Sequence, residues 1–277
     1  MRICLAGSVR NCASYLPGLF AEISEQKDIF DEFHFIFAEN DSSDGSAELL
    51  ASFAREFQCG QALLLPSLEE RFPQRTDRIG YTRQLCLDEA RKLNWTREDD
   101  YFILIDCDDV TNGLSLQKIR DVIVRSTFEW HALFANTEGA YYDLFALRHP
   151  VWCPNDPLQE LEQRPSFMSW DDAHRLYIRS RRITISPDQA PIPVISAFGG
   201  IGIYKLNALA SASYAPSQVN DYETCEHIWL HETMRQSGHG KLFIHPELLV
   251  HPKTKRLTRI QRLKRSINKR LRKTVRS

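Results

Sequence analysis

Three carboxylates follow directly on an apolar run near the middle of the chain. Residues 101–110 read YFILIDCDDV, so a buried strand would lead into Asp106, Asp108 and Asp109. Carboxylates two residues apart at the end of a strand can both reach one divalent ion, and Mg²⁺ or Mn²⁺ commonly binds one or two carboxylates together with substrate phosphates. The same acids could instead solvate a loop or cap the helix that the pattern predicts from about Ser115. The spacing therefore predicts either a metal–phosphate site or a capped loop.

The elements that would position these acids alternate along the first half of the chain. Near-continuous apolar runs predict strands at residues 2–6, 33–38, 62–65 and 101–105. Apolar residues spaced three and four apart predict helices at residues 15–26, 46–57 and 80–93. This alternation predicts an α/β fold with a mainly parallel sheet that is flanked by helices on both faces. Ligands bind such a sheet at the carboxyl ends of its strands, which is where the acids lie.

The second half of the chain has a looser pattern. It predicts helices and strands in the order helix 116–124, strand 131–135, strand 192–205, helix 223–234 and strand 241–250. Residues 150–193 are rich in Pro, Arg and Asp and predict an irregular excursion. Its Trp152 and Trp170 could stack on a sugar or serve as buried anchors.

The charge is divided unevenly between the body of the chain and its last 25 residues. The net charge is −1, but residues 253–277 hold 12 Lys and Arg and no acid, which leaves 23 basic and 36 acidic side chains in residues 1–252. The apolar residues of the basic segment are spaced three and four apart, at Leu257, Ile260, Leu263, Ile267, Leu271 and Val275. This pattern predicts a basic amphipathic helix that binds an anionic membrane surface. Nucleic acid is disfavoured as a partner because the segment lacks aromatic residues for base stacking and the body is acidic.

The cysteines and the hydropathy indicate the compartment. Seven cysteines are scattered without a CxxC pair, as is usual for reduced thiols in the cytosol. No window of 18 apolar residues predicts a membrane-spanning helix, and the first residues are too polar for a signal peptide. We therefore expect a cytoplasmic protein that lies peripherally on the inner face of a membrane.

Three motifs in order along residues 1–135 resemble the GT-A glycosyltransferases of the family-2-like kind. Gly80, Arg83 and Gln84 stand where the family has Gly, Arg and Asn at the start of a helix. The DCDD that begins at Asp106 stands on the family's DxDD, and ENDSSDGS from Glu39 resembles its DDGSxDGT. The resemblance implies a Rossmann-like GT-A domain over residues 1–252. Within it, residues 1–110 would bind the nucleotide and residues 111–252 the acceptor.

The resemblance also implies roles for residues of the first half. Glu39 and Asn40 would contact the nucleotide base; Asn40 replaces an acid of the family, and Asp41 replaces a glycine of the loop. Arg83 would lie near the pyrophosphate, unless it forms a surface salt bridge to Asp88 or Glu89. The remaining implied contacts are to the nucleotide from Gly7 and Arg10, and to Mn²⁺ or Mg²⁺ and the diphosphate from Asp106 and Asp108.

In the second half the resemblance implies the acceptor site and a late metal ligand. Gly199 and Gly200 would lie beneath the donor sugar, unless they form a β-bulge. Glu226 would remove the proton from the acceptor hydroxyl, which presumes inversion at the anomeric carbon. Four histidines have weaker assignments: His251 would be the metal ligand, with His245 as its reserve, and His227 and His231 would be packing residues or a metal pair. Asp143 and Arg148 would face the acceptor.

The implied activity is metal-dependent transfer of a sugar from a nucleotide diphosphate donor to a lipid-linked or cell-surface glycan. Two other functions stay open at this point. LIDCDDV loosely matches the signature of haloacid-dehalogenase-like phosphatases, with Asp106 as nucleophile and Asp108 as acid and base. The substitutions at Asn40 and Asp41 also allow a non-catalytic module that binds nucleotide sugars or glycans.

Overall fold

A computed structural model describes residues 1–214, 218–219 and 222–251. Its strands are β1 (Arg2–Val9), β2 (Glu32–Asn40), β3 (Gly60–Leu65), β4 (Asp100–Asp106), β5 (Ala132–Thr137), β6 (Ile192–Val194), β7 (Ile201–Lys205), β8 (Gln218–Val219), β9 (Tyr222–Glu223) and β10 (Leu242–Val250). Within the described residues, eight of them form one sheet in the order β3-β2-β1-β4-β7-β5-β10-β6, and β8 pairs with β9 alone.

The sheet is parallel where the sequence alternates and mixed beyond that. β3, β2, β1 and β4 run parallel to one another, as predicted. β7 lies antiparallel between β4 and β5, and β6 lies antiparallel on the far edge. The inner strands are buried on both faces, which explains why they read as continuous apolar runs rather than as alternating patterns.

Helices cover both faces of this sheet. They are α1 (Leu16–Gln26), α2 (Ser46–Phe57), α3 (Leu68–Arg71), α4 (Arg75–Arg91), α5 (Leu116–Arg125), α6 (Pro157–Glu162), α7 (Trp170–Tyr177) and α8 (Glu226–Gln236). α1, α2 and α5 pack their apolar sides into one core, which also holds Ile3 and Ile103 of the strands. α4 and α8 pack into the core on the other face, with Cys4 and Phe102. The predicted helix–sheet–helix layering is therefore confirmed.

Two differences from the sequence prediction bear on the site and on the excursion. Residues 192–205, predicted as one strand, form the two strands β6 and β7. Gly199 and Gly200 lie between these strands and interrupt the extended backbone, because their φ angles of 69° and 94° are left-handed. The excursion predicted to be irregular contains α6 and α7, which begin after the side-chain caps Asp156 and Ser169.

Two predictions concern how the chain relates to a membrane. The basic amphipathic segment 253–277 lies outside the described residues. Within residues 1–214, 218–219 and 222–251, no helix has the length and apolar character that crossing a membrane requires.

Candidate functional site

The carboxyl ends of three parallel strands bring the predicted nucleotide-binding residues to one edge of the sheet. β1 pairs with β2 on one side and with β4 on the other. In this register Ser8 lies opposite Asp106, and Val9 lies opposite Glu39. The loops that follow these strands are therefore neighbours, although they lie far apart in the sequence.

Arg83 ties the acidic strand end to helix α8. It is only 5% exposed, and its Nη2 lies 2.8 Å from Oδ1 of Asp106. Its Nη1 donates to Oε1 of Glu226 and lies 2.6 Å from Nε2 of His227. The ring of Phe198 lies 4.7 Å from the guanidinium carbon and stacks on the His227 ring. The buried guanidinium thus joins two carboxylates that lie far apart in the sequence.

The surface salt bridge considered for Arg83 is absent from the described residues. Asp88 pairs with Arg91, three residues along helix α4, and Glu89 pairs in the same way with Lys92. The contact of Arg83 with the diphosphate remains a prediction, whereas the surface salt bridge to Asp88 or Glu89 is wrong.

Burial shifts the carboxyl of Asp106 toward its protonated form when no cation is bound. Burial raises the pKa of Asp106 to about 7, against the opposing effect of Arg83 and with additions from the charges of Asp108, Asp143 and Glu226. About a third of its side chain is nevertheless exposed, which leaves it within reach of a ligand. A divalent cation would favour the ionised carboxylate, because an opposite charge stabilises it.

Asp106 and Asp108 together fit a divalent metal that is shared with a substrate. Oδ1 of Asp106 accepts from Arg83, and Oδ1 of Asp108 accepts from the backbone N–H of Val110 at 3.0 Å. In the part of the chain that the structure describes, Oδ2 of each carboxylate accepts no hydrogen bond, so both are available as ligands. No described group of three His, Cys, Asp or Glu side chains is arranged to hold a metal. Two carboxylates with the remaining positions left to phosphate and water suit Mg²⁺ or Mn²⁺.

The capping role considered for these acids is limited to one short turn. Asp108 caps the 3₁₀ turn Asp109–Thr111. Helix α5 has its own cap, because the hydroxyl of Ser115 accepts from the backbone N–H of Lys118 at 3.3 Å. Capping of the long helix therefore does not explain the acidic cluster.

The late histidines are placed apart from the two aspartates. Nδ1 of His251 lies 2.7 Å from Oε2 of Glu138, and about half of the His251 side chain is exposed. His245 lies buried on β10, and burial lowers the pKa of its imidazole. Neither ring joins Asp106 and Asp108 in one ligand set among the described residues. The assignment of His251 to the metal remains a prediction.

Gly199 and Gly200 form a tight turn against the acidic strand end. The carbonyl of Gly200 accepts from the backbone N–H of Asp106 at 2.9 Å, and the N–H of Gly199 donates to Oδ2 of Asp143 at 2.9 Å. A Cβ on Gly199 would lie 2.6 Å from the carbonyl oxygen of Ala135. The pair is therefore a left-handed turn rather than a β-bulge, and it needs glycine for both its angles and its space.

Replacing Gly200 with alanine is expected to destabilise the site more than the same change at Gly113. Both residues have positive φ, but a Cβ on Gly200 would lie 2.4 Å from Cγ1 of Val110, whereas one on Gly113 would meet nothing within 4 Å. The control thus shares the backbone strain and lacks the clash, which adds about 1–3 kcal/mol in packed sites. Urea unfolding of both variants measures the difference. Equal losses would contradict the packing of this turn on the loop after Asp108.

The loops of the first half lie at the predicted edge but bond mainly to one another. Oε1 of Glu39 accepts from the N–H of Ser42, and Nδ2 of Asn40 donates to Asp41. Asp41 has φ of 51°, and its carboxylate accepts from the N–H groups of Leu68 and Glu69. The aspartate that replaces the family's glycine therefore anchors helix α3.

Gly7 and Arg10 of the first loop also contact protein groups. A Cβ on Gly7 would lie 2.5 Å from Sγ of Cys107, so the glycine lets β1 approach the acidic motif closely. Arg10 forms an ion pair with Glu69 and remains about a third exposed. Their contact with a nucleotide remains a prediction.

An aromatic layer formed by Phe198 and His227 lies behind Arg83 and was not predicted from the sequence. His227 was predicted to be a packing residue or one of a metal pair. Burial and the charge of Arg83 lower the pKa of His227 far below its usual range, so its ring is neutral. His231 has the first of the two roles considered for it, packing: it lies 2.8 Å from Oγ of Ser196 and 3.1 Å from the hydroxyl of Tyr204. Phe198 directly precedes the two glycines in the sequence. Nothing in the sequence around it indicates that its ring packs beside Arg83.

Trp152 and Arg148 make structural contacts, whereas the sugar stacking considered for Trp170 remains a prediction. Nε1 of Trp152 donates to the carbonyl of Arg181 at 2.7 Å, so this tryptophan is a partly buried anchor that packs against the core. Arg148 is buried and forms an ion pair with Asp156, the cap of helix α6. Arg148 therefore anchors the start of helix α6.

No protein-family model and no curated protein matches this sequence. A mannosyltransferase from Pyrobaculum calidifontis, solved in complex with GDP-Man and Mn²⁺, is 13% identical over 100% of this chain and 64% of its own, with a TM-score of 0.50. S. aureus TarS 1–349 is 12% identical over 91% of this chain and 60% of its own, with a TM-score of 0.48. The chain thus spans about three fifths of the length of these structures. At such identities the likeness concerns the fold, and the chain has the GT-A fold that its acidic motifs predicted.

Proposed function

We propose that this chain is a metal-dependent glycosyltransferase that moves a sugar from a nucleotide diphosphate to a glycan. The observation that carries the proposal is the pair Asp106 and Asp108 at the carboxyl end of β4. Each keeps one carboxylate oxygen available, and the loops after β1 and β2 lie beside them. The complex of the Pyrobaculum calidifontis mannosyltransferase with GDP-Man and Mn²⁺ supports this choice of donor and metal.

Different residues at this edge of the sheet would contact different parts of the donor. Asp106 and Asp108 would hold Mn²⁺ or Mg²⁺, which would supply positive charge against the departing diphosphate. Arg83 holds Asp106 in place, and the turn at Gly200 fixes the backbone of the same residue. Glu39 and Asn40 would contact the nucleotide base, and the remaining contacts of the donor are assigned to Gly7, Arg10 and Asp41.

We assign the acceptor to the class of lipid-linked or cell-surface glycans. The basic amphipathic segment 253–277 supports this assignment, because its 12 Lys and Arg would hold the protein on an anionic membrane. The proposal therefore places the enzyme in the cytoplasm, peripherally on the inner face of the membrane, where activated sugars and lipid-linked acceptors meet.

A phosphatase is disfavoured by the position of the acidic motif. Asp106 follows the fourth strand of the sheet, whereas the phosphatase motif follows the first strand of its domain. One oxygen of the would-be nucleophile also binds Arg83. A non-catalytic nucleotide-sugar-binding module is the second candidate, because Asn40 and Asp41 depart from the family's residues and bond to each other and to helix α3.

Turnover separates the enzyme from the binding module. The full chain is incubated with Mn²⁺ and a panel of UDP- and GDP-sugars, and released nucleoside diphosphate and free or transferred sugar are measured. We expect slow hydrolysis of one donor by water, because the site activates the bond to the diphosphate. Binding of a nucleotide sugar without any release, with water and with lipid-linked or oligosaccharide acceptors alike, would instead support the binding module.

A further inference from the structure

Two further carboxylates lie close enough to Asp106 to raise its pKa by their charge, those of Asp143 and Glu226. A transferase that inverts the anomeric carbon needs one carboxylate that can reach the attacking hydroxyl and accept its proton. The surroundings of these two side chains differ, and the difference indicates which of them is suited to that task.

Glu226 is enclosed by the groups that it binds. Its residue is 4% exposed, and its Oε1 accepts from Nη1 of Arg83. The aromatic layer formed by Phe198 and His227 packs against the same guanidinium. A proton on Glu226 would neutralise one member of this buried ion pair and leave Arg83 with a single charged carboxylate, which is costly in a protein interior.

Asp143 is held by the main chain alone. Its Oδ2 accepts from the N–H of Gly199 at 2.9 Å, and its Oδ1 accepts from the N–H of Ala146 at 3.4 Å. Among the described residues no cationic side chain forms an ion pair with it, and the residue is less deeply buried than Glu226. Burial by the surrounding protein raises the pKa of Asp143, which makes its carboxylate a better proton acceptor.

The glycine turn connects Asp143 to the strand end that carries Asp106. Gly199 binds Asp143, and the next residue, Gly200, binds the backbone of Asp106. The hydroxyl of Tyr142 would lie 3.4 Å from a Cβ on Gly200. Burial and the charges of Asp143, Asp106 and Asp108 together raise the pKa of this phenol. Asp143 and Asp106 are therefore joined through one short turn at the edge of the sheet.

We infer that Asp143 is the general base of the transfer reaction, and that Glu226 is a positioning residue that holds Arg83 against Asp106. The inference rests on the proposed function and on inversion. In the reaction the acceptor oxygen gives its proton to the Asp143 carboxylate and forms a bond to the anomeric carbon. The bond from that carbon to the diphosphate oxygen breaks, and the diphosphate leaves with the electron pair. Asp143 then returns its proton to water.

The test compares Asp143→Asn with Asp172→Asn in the full chain. Asp172 is an exposed residue of helix α7 and controls for the loss of a surface carboxylate. Water serves as acceptor, with the UDP- or GDP-sugar that the wild type hydrolyses fastest, in the presence of Mn²⁺. We expect Asp143→Asn to lower kcat by about a hundredfold or more while the donor Kd stays within about threefold, since a general base contributes roughly 10²–10⁴ to a rate. Asp172→Asn should keep both values.

Two outcomes would overturn the inference. One is an Asp143→Asn variant that binds the donor and keeps kcat within about threefold of the wild type, because loss of a general base would lower kcat far more than that. The other needs no variant: proton NMR of the sugar first released by the wild type would show the retained anomer, which a direct attack by the acceptor excludes. If the wild type binds no nucleotide sugar, the proposed function fails as well, whereas a hydrolytically active wild type with an unaffected Asp143→Asn sinks this inference alone.

Discussion

Replacing Asp108 with alanine is expected to remove Mn²⁺-dependent donor binding and to slow turnover about a thousandfold. A bound metal commonly supplies several kcal/mol of charge stabilisation to a leaving group, and about 1.4 kcal/mol corresponds to a tenfold change in rate. Asp108 offers one free oxygen and caps only the short turn Asp109–Thr111. The substitution should therefore affect ligand binding far more than it affects folding.

Asp109→Ala is the matched control for that variant. It removes the same charge one residue further along, and within the described residues its side chain accepts no hydrogen bond. Thermal shifts with a nucleoside diphosphate and Mn²⁺ measure binding, and nucleotide release measures turnover. Equal behaviour of the two variants would show that the metal assignment of Asp108 is wrong.

The second large effect is expected on stability, from Arg83→Met. Methionine fills part of the space but leaves the carboxylates of Glu226 and Asp106 without the guanidinium that binds both. Removing one partner of a buried ion pair costs about 3–5 kcal/mol, because a charge stays buried without compensation. Urea unfolding measures the loss.

Two further variants make the Arg83 experiment specific. Arg175→Met breaks an exposed pair with Asp172 on helix α7, and we expect it to leave the unfolding midpoint unchanged. Adding Glu226→Gln to Arg83→Met should restore part of the lost stability, because the enclosed carboxylate is then neutral. A loss from Arg83→Met no larger than that from Arg175→Met would contradict the buried bridge.

The parts of the fold that the sequence predicted are those with a strong local signal. The run YFILI before Asp106 is buried on both faces of the sheet, so its hydrophobicity alone indicates a central strand. Helix α2 begins at Ser46 as expected, because Asp44 accepts from its backbone N–H and hydroxyl and Gly45 supplies a positive φ. Helix α4 begins earlier than expected, at Arg75, since its first turn carries few apolar residues.

The parts that sequence could not supply depend on contacts between distant segments. Arg83 and Glu226 lie 143 residues apart, and nothing near either residue indicates the other. The apolar run around Gly199 and Gly200 has the composition of a strand, and only the three-dimensional packing shows that both adopt positive φ. α6 and α7 were missed because they are short and present exposed apolar residues such as Leu158 and Leu176 rather than a buried stripe.

The central claim is that the carboxyl end of β4 binds a nucleotide diphosphate through a divalent metal. Calorimetric titration of the wild-type chain with UDP and with GDP, each with Mn²⁺ and with EDTA, tests it most directly. We predict that one nucleotide binds with Mn²⁺ and that chelation weakens its binding at least tenfold, about 1.4 kcal/mol. Binding that is equal in Mn²⁺ and EDTA, or no binding of either nucleotide, would contradict it.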